Sequence, residues 1–183
     1  MCFCEKLKTA ILKAIEETGL QPEPQFVKKI LEMFDTTKIR FGSMLVGPTG
    51  GGKTKIYEIL ARAITSLAES NHPNSIFQKV HTYVLNPKCI TMGELFGEIN
   101  ELTQEWEDGL ASSMFRTHIK DESPDRHWFI FDGPVDTLWI ENMNTVLDDN
   151  MTLCLANGER NTIHLITGPK ENETFYILIK KTS

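Results

Sequence analysis

Gly47-Pro48-Thr49-Gly50-Gly51-Gly52-Lys53-Thr54 decides how the rest of the chain is read. The phosphates of a nucleotide carry several negative charges, and a backbone can surround them with N–H donors only by coming very close, which glycine permits without steric cost. Gly47, Gly50, Gly51 and Gly52 supply that freedom, with Pro48 and Thr49 between them. Lys53 is placed to reach the β- and γ-phosphates, and Thr54 offers its hydroxyl to Mg²⁺. The flanks fit the same pattern. Residues 41–46 are a short, mostly apolar run suited to a buried parallel strand. From Lys53 onward, Ile56, Ile59, Leu60, Ala63, Ile64 and Leu67 recur at helical spacing, so a helix of about four turns springs from the loop and adds its positive dipole end.

Upstream, Leu7, Ala10, Ile11, Ala14 and Ile15 predict a first helix that ends near Thr18, with Gly19 as a left-handed cap. Pro24 is well placed to start a second, carrying Phe26, Val27, Ile30, Leu31 and Phe34. Downstream, residues 80–85 predict a strand, and Thr91-Met92-Gly93-Glu94 has capping-box spacing for a helix through about Leu102, interrupted by Gly93 and Gly97. Residues 106–119 are expected to be helical. Trp128-Phe129-Ile130-Phe131 predicts a central strand ending on Asp132, after which Asp136 can cap a helix with Leu138, Met143, Val146 and Leu147 inward. Residues 151–166 suggest a hairpin turning at Asn157-Gly158, and residues 175–179 are a last apolar stretch. This order is that of an α/β, three-layer P-loop NTPase with a mostly parallel central sheet.

Composition agrees with one soluble globular domain: 183 residues, 40% apolar and 24% charged. A net charge of −6 argues against a generic nucleic-acid surface, which needs clustered Lys and Arg. No run has membrane-spanning length, and the start lacks the apolar core of a signal peptide. Cys2, Cys4, Cys89 and Cys154 show no zinc or redox spacing and are expected to be reduced thiols.

A nucleotide site of this type needs an acid at the tip of a neighbouring strand to hold Mg²⁺ through its water shell, and Asp132 fits. Hydrolysing members of the wider ATPase superfamily usually carry Glu directly after that Asp. Here Gly133 and Pro134 follow, and neither can act as a base. Asp136 and Glu141 are nearby acids, the first more simply a helix cap and the second more than a turn into that helix.

The block Phe131-Asp132-Gly133-Pro134-Val135-Asp136, followed by Trp139-Ile140-Glu141-Asn142-Met143-Asn144-Thr145-Val146-Leu147-Asp148-Asp149-Asn150, closely resembles the second AAA+ module of a dynein heavy chain, most like axonemal forms. The phosphate loop and the segment from Leu85-Asn86-Pro87-Lys88 to Gly97 are similar to the same module, and the resemblance spans about residues 19–160. It implies an AAA+ large subdomain in a six-module ring, binding ATP or ADP with Mg²⁺ and hydrolysing little or none. Lys53 and Thr54 would contact phosphate and Mg²⁺, and Asp132 would be the Mg²⁺-side acid. The adenine pocket would lie partly on the second helix, with Phe26, Val27 and Ile30 as candidates or simply as core. Implied partners are neighbouring AAA+ modules and other dynein chains, with microtubules only indirectly and neither nucleic acid nor membrane. The implied place is the cytoplasmic cytoskeleton, in the axoneme of a cilium.

Residues 161–183 depart from the family, which continues into a strand with a polar nucleotide-sensing residue, an arginine for the neighbouring site and a helical lid. The expected organisation is therefore an N-terminal helix and linker (1–20), the nucleotide-binding domain (21–160) and a divergent tail (161–183), with the helical lid missing. Weak nucleotide binding is expected from such a site. The alternatives are a free-standing P-loop ATPase or kinase with turnover of its own, or a fragment that does not bind.

Overall fold

The computed structural model describes residues 3–40, 42–70, 77–119, 123–134, 139–141, 143, 152–154, 160–162 and 175–182. Two helices, α1 (Phe3–Glu17) and α2 (Pro24–Thr37), precede strand β1 (Gly42–Gly47), the phosphate loop and helix α3 (Lys53–Glu69). Next come β2 (Val80–Leu85), α4 (Met92–Phe96), the short strands β3 (Gly97–Ile99) and β4 (Trp106–Asp108), α5 (Leu110–Ile119) and β5 (Arg126–Asp132). The last elements are β6 (Thr152–Cys154), β7 (Arg160–Thr162) and β8 (Phe175–Thr182).

Among the described residues, four parallel strands make the central sheet in the order β1, β8, β5, β2. β5 is buried from Arg126 to Phe131, as an inner parallel strand covered on both faces should be. Its side chains alternate. Trp128 and Ile130 join Leu7, Ile11 and Ile15 of α1, Ile30 and Phe34 of α2, and Ile59, Leu60 and Ile64 of α3 on one face. Phe129 and Phe131 join Leu95 and Phe96 of α4, Phe115 of α5, and Trp139 and Met143 on the other. The result is three layers, the fold class the residue pattern implies. Full burial of each large aliphatic chain here contributes roughly 1.5–3 kcal/mol, so α1 shares one core with α2 and α3.

Local signals set the helix ends. Glu23 accepts a hydrogen bond from the Phe26 amide just ahead of Pro24, and Gly19 has φ +71° after α1. The capping box at Thr91 forms in full: the Thr91 hydroxyl accepts from the Glu94 amide, while the Glu94 carboxylate accepts from the Thr91 amide at 2.7 Å and is held below its usual pKa by that contact.

Two expected helices are corrected between the strands β2 and β5. α4 stops at Phe96 instead of running to Leu102, because Gly97 turns to φ +117°. A Cβ at Gly97 would lie 2.3 Å from the Trp106 ring and 2.7 Å from the Glu107 carbonyl. Trp106 is accordingly in a strand and not in a helix over 106–119: β3 and β4 pair antiparallel, and α5 begins only at Leu110. The tight approach of Gly109 to Gly97, whose amide would be 2.4 Å from a Cβ at Gly109, closes this hairpin between the two helices.

β6 and β7 pair antiparallel with Cys154 opposite Arg160, in the region expected to form a hairpin; Asn157-Gly158 lies outside the described residues. So do Asp136, Leu138, Val146 and Leu147. The last apolar stretch extends into β8, and β8 is inserted between β1 and β5.

Candidate functional site

The phosphate loop leaves the carboxyl end of β1 and enters α3 with no intervening residue after Gly52, the arrangement in which α/β sheets hold ligands beyond their strand ends. Gly50 has φ +79° and Gly52 +78°, conformations that cost other residues about 1–2 kcal/mol. The Gly51 amide donates to the Pro48 carbonyl at 3.1 Å, which tightens the loop. A pocket of about 270 Å³ is lined by Thr49 to Lys55. Pro48, Thr49, Gly50 and Gly51 are exposed, so this cradle opens to water.

Lys53 is 6% exposed, and its ammonium donates to the carbonyls of Gly47 and Pro48, both at 2.7 Å. The loop's own carbonyls thus hold the cation at the mouth of the strand, where a phosphate would compete for it. Thr54, next along α3, is half-buried. Lys55 is engaged by Glu58 at 2.7 Å on the exposed side of the helix.

Asp132 ends β5, half-buried. Burial pushes the Tyr57 phenol up to about 12, with the charges of Glu58 and then Asp132 adding to it. Tyr57 stands one turn after Lys53 and is buried, so Asp132 and the start of α3 occupy the same side of the sheet. A threonine hydroxyl and a carboxylate are hard oxygen donors, a set that suits Mg²⁺.

Gly133 follows with no left-handed φ, so its need for glycine is one of space. A Cβ there would stand 3.0 Å from Asn86 Oδ1 and 3.2 Å from Pro87 Cδ, in the connector after β2. Asn86 Oδ1 is itself fixed by the Lys88 amide at 3.0 Å. Glu141 is exposed on the helical segment that includes Trp139, and Trp139 Nε1 donates to the Pro134 carbonyl at 3.2 Å.

Of the three candidate adenine contacts, Val27 and Ile30 are core residues, 6% and 0% exposed. Phe26 is different. Its ring lies against the loop, with Cε2 3.3 Å from where a Gly52 Cβ would be. Tyr57 and Asn86 carried no role in the sequence reading; the one-turn spacing of Tyr57 from Lys53 was the available signal, while Asn86 meets Gly133 only through the pairing of β2 with β5. Away from the loop, at the starts of β2 and β5, His127 stacks between His81 and His118 with ring centroids 5.5 and 4.7 Å away.

The chain matches the family described as "AAA domain (dynein-related subfamily)" over residues 42–179, and that described as "Hydrolytic ATP binding site of dynein motor region" over residues 3–54. The first match runs past Arg160 into β8. The chain is 55% identical over 154 residues to dynein axonemal heavy chain 6 of Homo sapiens, covering 84% of this chain and 4% of that protein. Identity is 49% over 154 residues to dynein axonemal heavy chain 1 of Rattus norvegicus (84% and 3%) and 47% over 155 residues to dynein axonemal heavy chain 2 of Homo sapiens (85% and 4%). The chain therefore spans only 3–4% of the length of these relatives. Among solved structures, NtrX from Brucella abortus aligns over 93% of this chain and 36% of that one at a TM-score of 0.42 and 16% identity, a likeness that carries no argument.

Proposed function

The chain belongs to the dynein-related subfamily of AAA domains, and on that premise we propose that it is the nucleotide-binding module of an axonemal-type dynein heavy chain, second in the ring, which holds ATP without splitting it. Gly47 to Lys53 would cradle the phosphates, Thr54 would offer its hydroxyl to Mg²⁺, Asp132 would be the acid on the Mg²⁺ side, and Phe26 would border the loop. Mg²⁺, when bound, would offset the phosphate charge; the chain's own part is to bind and orient. In such a motor the partners are neighbouring AAA modules and other dynein chains, microtubules are engaged at a distance, and the setting is the axoneme of a cilium.

The observation that carries the non-hydrolysing reading is Gly133. The position after Asp132 has no side chain to polarise water, and a Cβ there would press on Asn86 and Pro87. The match described as hydrolytic favours a second reading, an active ATPase, but it ends at residue 54 and does not include Asp132-Gly133.

Steady-state phosphate release from Mg·ATP, measured alongside binding of a fluorescent ATP analogue, separates the two. Binding that disappears in Lys53→Ala with no release above background supports a holding site. Release that is abolished by Lys53→Ala yet persists in Glu141→Ala sinks it, and calls for a base outside the residues named here.

A further inference from the structure

We infer that the three histidine rings stacked at the starts of β2 and β5 form an acid-sensitive latch, which seats α5 on the sheet at neutral pH and lets that helix lift, with the β3–β4 hairpin tied to it, on mild acidification. The latch lies at the end of the sheet away from the phosphate loop and does not depend on the nucleotide reading.

Strand register builds the stack. His81 of β2 pairs with His127 of β5, and two residues on Tyr83 pairs with Phe129. The alternation that sends Trp128 and Ile130 toward α1, α2 and α3 sends His127 and Phe129 toward α4 and α5. There α5 covers them: its His118 ring is 4.7 Å from that of His127 and 4.3 Å from that of Tyr83, and its Phe115 ring is 4.6 Å from that of Phe129. His127 is enclosed between His118 and His81, whose ring is 5.5 Å away, and is 2% exposed. Contacts from α5 then hold its neighbours, because Arg116 pairs with Asp108 of β4 at 3.1 Å and the Ser112 hydroxyl donates to the Phe96 carbonyl at the end of α4.

Protons are what this stack cannot take up freely. Among the described residues, the titratable groups around it are His81 and Tyr83 of β2, His118 of α5 and Asp125 just before β5. Arg126 lies on the other face by the same alternation, and Arg116 is engaged by Asp108. Asp125 Oδ2 is 2.7 Å from His81 Nε2, so a proton on His81 has a counterion. The Tyr83 hydroxyl, 3.4 Å from His127 Nδ1, carries no charge to balance one. The stack thus holds three bases and one carboxylate, and a second imidazolium would sit against the first with little water between them. A solvated histidine takes its proton near pH 6.5. Below about that value the lifted form therefore binds more protons than the closed form, and the balance moves toward lifting as pH falls.

Backbone hydrogen exchange of the full 183-residue chain, at about pH 7.5 and about pH 5.5 and corrected for the intrinsic exchange rate, tests the latch. Opening of residues 97–119 is expected to rise about tenfold at the lower pH, the factor for one excluded proton one unit below 6.5, while α1 to α3 change little. His127→Phe keeps an aromatic ring and removes the titrating group, so its ratio between the two pH values should fall to near one. His118→Phe takes its place if that chain does not fold. His72→Asn, at a histidine that is not one of the three, should keep the full acid response. Imidazole NMR of the folded chain should show the three stack histidines failing to titrate independently. Three independent titrations near pH 6.5 overturn the inference, as does equal protection of residues 97–119 at both pH values. An acid response that survives unchanged in the phenylalanine variant, or one spread evenly over α1 to α3, overturns it as well.

Discussion

Glycines stand at both ends of the candidate site, after β1 and after β5, and they are there for opposite reasons. Gly50 adopts φ +79° with nothing within 4 Å of where a Cβ would stand. Its constraint is conformational, and the space around it is open. Gly133 has an ordinary backbone, and Asn86 and Pro87 press on it. Its constraint is one of space, since a Cβ there would need Asn86 or Pro87 to give by a few tenths of an ångström. The same residue type therefore answers a backbone demand at one strand end and a spatial one at the other.

The contrast can be broken at several points. Lys53→Ala should have the largest effect, about a hundredfold loss in affinity for an ATP analogue by titration, because charge-assisted contacts to phosphate go with it; a loss of less than threefold would detach the loop from any ligand. Gly133→Glu should lower stability by about 1–3 kcal/mol in urea melts through overpacking, and should still release no phosphate. Coupling it with Asn86→Ala should return part of that stability. Gly50→Ala should cost about 1 kcal/mol from backbone strain alone, with no neighbour whose truncation repairs it. If the two glycines respond alike to removal of Asn86, the distinction between them fails.

The smallest effect concerns Tyr57. Its phenol is raised from 10.0 to about 12 in the folded chain, so the folded state keeps a proton that the unfolded state has lost between those values. That contribution is intact below pH 10 and disappears as pH rises through about 12. Melting temperature against pH should fall in that window and fall less in Tyr57→Phe, with the two proteins alike at neutral pH.

Much of this was legible because the signals were local. The loop, the start of α3, the cap at Thr91 and the apolar run of β5 each announce themselves within a few residues, and β2 emerged with the expected bounds of 80–85. What escaped depends on contacts between segments far apart in sequence. Trp106 fits helical spacing, and only the face of Gly97, against which its ring packs, shows that it belongs to a strand. Gly133 read as a missing base; that Asn86 stands against it needs the β2–β5 pairing. Phe26 had the same standing as Val27 and Ile30 until the turn of the loop brought Gly52 to its ring.

β8 has a bearing on time as well as on place. It is the partner of both β1 and β5, yet most of the chain is made before it, so neither of those strands has its inner neighbour until the segment at 175–182 arrives. Until then β2 and β5 can pair and α1 to α3 can gather, while β1 waits without its partner β8. Closing so distant a pairing is slow, and a waiting strand edge is open to the wrong partner. The step that completes the sheet is thus also the step at which this chain is most exposed to aggregation, and a stopped-flow refolding trace should carry its slowest phase there.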